Sequence, residues 1–301
     1  MKFFERKIGQ NGAYAKYYFQ EANEEIDRER LFPTIVICPG GAYLWTSFRE
    51  DEAVALRFLA EGFHVVVVHY ATEGLERFNV NKVEELPENP VSVFPNPLIE
   101  LALAVIYLRE NAEEFSINTN QIIVSGYSAG GNLAAQLGTL WHEEWLEEKV
   151  GKPKELYRPT HLLLAYAALD FTPKRKLDFG EIDSITYATT GSVTPNQELI
   201  DAMNPILHVT TMTPPAFIWH TREDKLVPAE NALRFALQLD YHQIPYELHL
   251  FDKGKHGLVL GDLRTGVKSS NEDAQVYKWV DLFLEWIYPN KTIRGGFYKG
   301  R

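Results

Sequence analysis

The stretch Val124-Ser125-Gly126-Tyr127-Ser128-Ala129-Gly130-Gly131 carries the spacing G-x-S-x-G. An apolar run, Gln121-Ile122-Ile123-Val124, precedes it and reads as a buried strand. Asn132-Leu133-Ala134-Ala135-Gln136-Leu137 follows and reads as a helix. A strand that turns this sharply into a helix leaves its central serine in a strained conformation, with the hydroxyl standing clear of the sheet. The residues two before and two after the serine crowd each other, so both must be small. At ordinary Gly and Ser usage, roughly 0.1 such matches arise by chance in a chain of this length. The flanks and the partners elsewhere in the chain therefore have to carry the case.

The flanks belong to a long alternation of strands and helices. Two short stretches near Phe3–Ile8 and Ala13–Phe19 flank Asn11-Gly12, a hairpin-type turn. Thr34–Cys38 is a strong strand that runs into Pro39-Gly40-Gly41-Ala42-Tyr43. Ser47-Phe48-Arg49-Glu50 has capping-box form and predicts a helix to about Ala60, ended by Gly62. His64–Tyr70 is a β-branched run without interruption, as in a parallel sheet covered on both faces. Asn96-Pro97 reads as an N-cap with proline at the first helical position. The helix it opens, to about Asn111, carries Leu98, Leu101, Val105 and Leu108 on one face. Further strands are expected at His161–Tyr166, Ala216–His220 and Tyr246–Phe251. Helices are expected near Asn196–Met203, from Pro228 to about Tyr241, and from Asp273 to Tyr288 with Tyr277, Val280, Leu284 and Ile287 on one face. This order predicts an α/β protein with a mainly parallel central sheet, an antiparallel N-terminal edge and helices on both faces. No linker divides it, so residues 1–301 read as a single domain, with candidate lid insertions at 72–95 and 171–213.

Charge and composition narrow the partners. The formal net charge of −11 argues against nucleic acid or an anionic membrane surface. No apolar run approaches the ~18 residues of a membrane span. The first residues lack the apolar segment of a signal peptide, which gives the expectation of a cytoplasmic protein. Cys38 is the single cysteine, so no intrachain disulfide forms, and its apolar strand predicts a buried, inert thiol. The sequence allows a homo-oligomer without indicating one.

A serine nucleophile needs a base, a carboxylate that orients the base, and NH donors for the developing oxyanion. In a fold of this type the acid is expected after the serine and before the histidine in the chain. Asp224 follows the Ala216–His220 strand in Thr221-Arg222-Glu223-Asp224-Lys225-Leu226-Val227-Pro228, at an end of the sheet where sites assemble. Asp170 is its main rival; Glu223 and Asp252 fit less well. The base candidate is His256 in Asp252-Lys253-Gly254-Lys255-His256-Gly257, just past the last strand. His64 and His69 precede the serine, His249 lies within a strand, and His142, His161, His208, His220 and His242 read as solvated, core or edge residues. No histidine pair has the helix spacing of a metal site. The NH of Ala129, at the start of a helix, and the turn Gly40-Gly41-Ala42 are the candidate oxyanion donors. The absence of G-K-[ST] argues against reading that turn as a phosphate loop.

Together these residues resemble the α/β-hydrolase superfamily, and more narrowly its acetyl-esterase, hormone-sensitive-lipase-like and BD-FAE-like serine carboxylesterases. The motifs that carry the resemblance are Pro39–Tyr43, Gly126–Gly131, Asp224 with Val227-Pro228, and His256-Gly257. It implies an α/β-hydrolase fold, a triad of Ser128, Asp224 and His256, an oxyanion hole from Gly41, Ala42 and Ala129, and no cofactor. Pro39-Gly40-Gly41-Ala42 stands where many relatives have H-G-G-G. The missing histidine leaves open which of Gly41 and Ala42 donates.

The expected reaction is hydrolysis of a small-molecule, short-acyl ester through an acyl-enzyme, with an acetylated sugar favoured by the resemblance. Tyr43, Trp45, Tyr70, Tyr127, Tyr166 and Trp219 lie near strand ends expected to face the site. Tyr43, Tyr70 and Tyr127 are taken as substrate-binding candidates. A peptidase or arylformamidase-type amidase is the second reading, and a non-catalytic binding protein on the same scaffold the third.

Overall fold

Eight strands form one sheet in the order β1-β2-β4-β3-β5-β6-β7-β8 in a computed structural model that describes residues 1–74, 85–170, 184–266 and 268–288. β1 (Lys2–Lys7) and β2 (Tyr14–Phe19) form the hairpin, and β2 runs antiparallel to β4 (His64–His69). From β4 onward all neighbours are parallel: β3 (Phe32–Cys38), β5 (Ile117–Tyr127), β6 (His161–Ala165), β7 (Ala216–Thr221) and β8 (Tyr246–Phe251). The hairpin closes through the Ile8 NH donated to the Ala13 carbonyl, with Gly9 and Gly12 both at positive φ.

The β-branched runs work as expected. Along β4, Val66 and Val68 join one apolar core while Val65 and Val67 join the other. The helices α2 (Asn96–Glu110), α3 (Ala129–Leu140) and α7 (Glu230–Tyr241) pack on the first face through Leu101, Leu133 and Phe235. The helices α1 (Glu52–Ala60) and α8 (Trp279–Ile287) pack on the second through Phe58, Trp279 and Phe283. Each such fully buried side chain contributes about 1.5–3 kcal/mol. Shorter helices α4 (Glu144–Val150), α5 (Ser184–Thr190) and α6 (Gln197–Ala202) lie between β5 and β7 in the chain.

Three local expectations need correction. Ser47 makes no side-chain cap, and Phe48–Glu50 is a separate 3-10 turn before α1. Glu50 is buried, because its carboxylate turns into the sheet rather than back to the helix end. Asn96 is already helical, preceded by Pro95 at the cap, and its amide donates to the Val91 carbonyl. The last helix begins at Trp279, and Tyr277 is exposed while Trp279, Val280 and Phe283 face inward.

The topology places the site. From β3 the chain crosses to β4 on one side, then returns past β3 to β5 on the other. The carboxyl ends of β3 and β5 are therefore a switch point, where loops part and leave a crevice. The turn after β3 is Pro39–Ala42, and the turn after β5 holds Ser128. Of the two candidate lids, residues 75–84 and 171–183 lie outside the described residues. The described parts of the two insertions meet: the Phe94 NH donates to the Thr189 carbonyl, and the Ser92 hydroxyl to Ala188.

Candidate active site

Ser128 caps α3 at φ 53°, ψ −118°, a conformation that a non-glycine residue adopts only when its surroundings enforce it. The enforcement is close packing. A Cβ on Gly126 would lie 2.1 Å from the Gly130 carbonyl oxygen, and one on Gly130 would lie 2.0 Å from the Cys38 carbonyl oxygen. The elbow thus closes on itself at Gly126 and presses on the end of β3 at Gly130, where a larger side chain would push β3 away.

His256 reaches Ser128 from the loop after β8. Its Nε2 lies 2.8 Å from Ser128 Oγ, and its Nδ1 lies 2.6 Å from Asp224 Oδ2. Gly254 and Gly257, at φ 118° and 75°, let the loop fold back sharply enough to bring the ring over the elbow. Arg49 holds this loop, donating to the Gly257 and Thr265 carbonyls.

Asp224 has a buried carboxylate with every direction used. Oδ1 accepts the Leu226 and Val227 NH groups, each at 2.9 Å. Oδ2 faces His256 and also His220, whose Nε2 is 3.3 Å away. Burial opposes ionisation, but the hydrogen bonds from His220, His256 and the Val227 NH, with the His256 charge, outweigh it. The carboxyl is held well below its ordinary range. An ionised Asp224 keeps the His256 proton on Nδ1 and leaves Nε2 free to take one from Ser128.

The rival acids are engaged elsewhere. Asp170 pairs with Arg234 and accepts from the Asn204 amide. Glu223 accepts the Gly254 NH, and Asp252 pairs with Arg222 at the surface.

The turn after β3 faces the elbow. A Cβ on Gly40 would lie 2.9 Å from the Ser128 Cβ and 2.8 Å from the Tyr127 carbonyl oxygen. Gly41, Ala42 and Tyr43 all have positive φ, at 127°, 57° and 60°. The Gly41 and Ala42 NH groups make no hydrogen bond among the described residues. Ala129 is the first residue of α3, where NH groups lack intrahelical acceptors. The site thus presents a hydroxyl, an oriented imidazole and nearby NH groups, an arrangement suited to acyl transfer.

The expected substrate-binding tyrosines are largely covered by protein, and Tyr43 lines a small cavity with Ser92, Phe94 and Met203. Tyr43 is 3% exposed and donates to the Asn132 side chain; Tyr70 is 2% exposed and donates to the Pro39 carbonyl. Tyr127 is fully buried against Tyr166 and Trp279. All three shape the crevice from within the core. Trp219 stacks on Trp279 in the second core, and Trp45 is half-buried. Cys38 is buried, and burial pushes its thiol well up.

Two residues near the site were not anticipated in their contacts. Glu50, expected to cap a helix, accepts the Gly40 NH at 2.6 Å and the Tyr166 hydroxyl at 2.7 Å. His220, expected to be solvated, core or edge, touches Asp224. The four-residue spacing of His220 and Asp224 across a strand end was the one available signal; Glu50 had none, since its partners are distant in sequence.

Comparison with known proteins places the chain in a family. A family model described as BD-FAE matches residues 23–239, well over half of the chain. The Endo-1,4-beta-xylanase B of Butyrivibrio fibrisolvens is 27% identical over 241 residues, 80% of this chain and 34% of that protein. The chain spans about a third to about half of the length of the first curated relatives it matches. Among solved structures, MGS-M1, an α/β hydrolase enzyme from a Medee basin deep-sea metagenome library, is 30% identical. The match covers 95% of this chain and 97% of that one, with a TM-score of 0.70. An acetyl ester-xyloside bifunctional hydrolase from Caldicellulosiruptor lactoaceticus is 26% identical, covering 92% and 88% of the two chains, with a TM-score of 0.71. No helix among the described residues is long and apolar enough to cross a membrane.

Proposed function

The chain belongs to the BD-FAE family of the α/β-hydrolase superfamily, and from that premise we propose that it hydrolyses carboxylic esters through an acyl-enzyme on Ser128. The observation that carries the reading is His256 set between Ser128 Oγ at 2.8 Å and Asp224 Oδ2 at 2.6 Å. His256 Nε2 takes the Ser128 proton as Oγ bonds to the carbonyl carbon. The carbonyl oxygen becomes negative and is met by NH groups from among Gly41, Ala42 and Ala129. Collapse breaks the bond to the leaving oxygen, which receives the proton from His256. Water, deprotonated by His256, then attacks the acyl carbon, and the carboxylic acid leaves with Ser128 restored. Asp224 holds the imidazole tautomer and favours the imidazolium in both steps.

The acyl group proposed is short, with an acetylated sugar as the alcohol side. Support comes from one structural relative whose name joins acetyl-ester and xyloside chemistry, and from a relative named as a xylanase. The test is Ser128→Ala assayed on p-nitrophenyl acetate and on acetylated xylose, with the fold checked by circular dichroism. Turnover should fall by about three or more orders of magnitude. Wild-type turnover by the variant ends the assignment. A preference for aminoacyl anilides or N-formylkynurenine over acyl esters would move the reading to an amidase.

A further inference from the structure

Glu50 takes no part in the proton transfers above, yet it is only 4% exposed and lies directly behind the turn that carries Gly41 and Ala42. Each carboxylate oxygen has one partner. Oε2 accepts the Gly40 NH at 2.6 Å, and Oε1 accepts the Tyr166 hydroxyl at 2.7 Å. A Cβ on Gly40 would meet Glu50 Oε2 at 2.8 Å and the Ser128 Cβ at 2.9 Å, so the carboxylate and the elbow close on one glycine. The Tyr166 ring in turn stands edge-on to His256, with centroids 5.0 Å apart.

These contacts fix peptide planes. The Gly40 carbonyl accepts the Ser47 NH, and the Gly41 carbonyl accepts the Leu44 and Trp45 NH groups. The turn therefore sets the planes that carry the Gly41 and Ala42 NH groups. The preceding Pro39–Gly40 plane is held by Glu50 at its NH and by the Tyr70 hydroxyl at its carbonyl. Gly40 has no side chain to restrict that plane, so these contacts set it. A buried carboxylate is a poor choice for stability alone, because apolar replacements of similar volume are often neutral or stabilising. Burial pushes the Glu50 carboxyl up, against the Tyr166 and Gly40 hydrogen bonds and the nearby charges of His256 and Arg49.

We propose that Glu50 is a positioning residue for ester cleavage: its carboxylate, braced by Tyr166, holds the Pro39–Gly40 peptide so that the oxyanion turn faces the oxygen that becomes negative. The inference rests on the reading of Ser128 as nucleophile. It predicts a cost in the transition state and little in the ground state.

The experiment measures kcat and KM on p-nitrophenyl acetate for Glu50→Ala, Glu50→Gln and Tyr166→Phe, together with inhibition by a trifluoromethyl ketone. That inhibitor forms a tetrahedral oxyanion on a serine. Glu50→Ala should lower kcat about 10- to 100-fold, the range of a mispositioned oxyanion donor, and weaken the ketone by a similar factor. Its KM should stay within about threefold. Glu50→Gln keeps an oxygen for the Gly40 NH and can donate to Tyr166, so it should return kcat to within about fivefold of wild type. Tyr166→Phe should shift kcat and ketone inhibition together, by a smaller factor. Wild-type kcat in Glu50→Ala, or a loss confined to KM with ketone inhibition unchanged, overturns the proposal. If Glu50→Ala does not fold, Tyr166→Phe decides: wild-type kcat and ketone inhibition overturn it. Activity in Ser128→Ala would instead sink the ester reading. An inert Ser128→Ala beside wild-type-like Glu50 variants removes only the role given to Glu50.

Discussion

His220 and Asp224 stand four residues apart and face each other across 3.3 Å, with both side chains sealed from solvent. The histidine Nε2 also lies 2.9 Å from the Val227 carbonyl, so it is fixed where it meets the carboxylate. His220→Ala removes one of the contacts that hold the Asp224 carboxyl low. A carboxyl depressed in the folded state stabilises above its unfolded value of about 3.9, and that contribution is lost as pH falls through the folded value. Raising the folded value shrinks the contribution. The acid-unfolding midpoint of His220→Ala should therefore move to higher pH, and kcat/KM should fall about tenfold as Asp224 loosens its hold on His256. Far-UV circular dichroism against pH checks the first; an unmoved midpoint contradicts the contact's role.

Asp170 and Asp224 both follow strands at the same end of the sheet, and their partners separate them. Asp224→Asn should reduce kcat by about a thousandfold or more, because an amide can donate to Nδ1 and favour the wrong tautomer. Asp170→Asn leaves His256 untouched and weakens the pairing with Arg234. Its kcat should stay within about threefold of wild type, with a stability loss of about 1 kcal/mol or less for a partly exposed ion pair. Parallel steady-state kinetics decide, and equal losses in the two variants would point to Asp170.

Gly130 in the first turn of α3 and Gly12 in the hairpin loop have opposite consequences for alanine. At Gly130 the new methyl would sit 2.0 Å from the Cys38 carbonyl oxygen and 2.4 Å from that of Pro39, both backbone atoms that cannot yield cheaply. Gly130→Ala should cost several kcal/mol or fail to fold, and a folded variant should lose activity because the elbow and the oxyanion turn separate. At Gly12 nothing lies within 4 Å, and only the φ of 83° resists. Gly12→Ala should cost about 1 kcal/mol with activity retained. Thermal unfolding and p-nitrophenyl acetate turnover distinguish them; similar melting temperatures would show that the close approach is not the constraint.

How much of this was legible depended on whether the signal was local. Val65–Val68 announced a strand buried on both faces, because an unbroken β-branched run has few other uses. Ser128, Asp224 and His256 each carried turn chemistry and followed one another in a telling order. What was not legible involves long-range contacts. Glu50 sits three residues after Ser47, as a capping box requires, but its partners are Gly40 and a tyrosine 116 positions away. Tyr43, Tyr70 and Tyr127 sit at strand ends, yet strand position cannot say whether a ring turns toward a crevice or the core. Their burial follows from Asn132, the Pro39 carbonyl and Trp279, which only the assembled sheet brings within reach.

Glu100 in α2 offers a pH test independent of the catalytic reading. It is 2% exposed, and burial pushes its carboxyl up to about 7 despite hydrogen bonds from the Ala71 NH and the Asn11 side chain. Between the unfolded value of about 4.3 and this raised value, the folded protein binds more protons than the unfolded chain. Stability from this group is therefore full at low pH, falls as pH rises through that window, and stays low above it. The difference is on the order of 3–4 kcal/mol at most. Glu100→Gln retains an oxygen to accept the Ala71 NH, now donated at 2.8 Å, and removes the charge that has to be buried above neutrality. Its melting temperature should exceed that of wild type by a few degrees at pH 8.5, on the order of 2–4 °C per kcal/mol, and by little at pH 5. A stability difference that does not grow with pH would show that the carboxyl is solvated or otherwise neutralised in the folded protein.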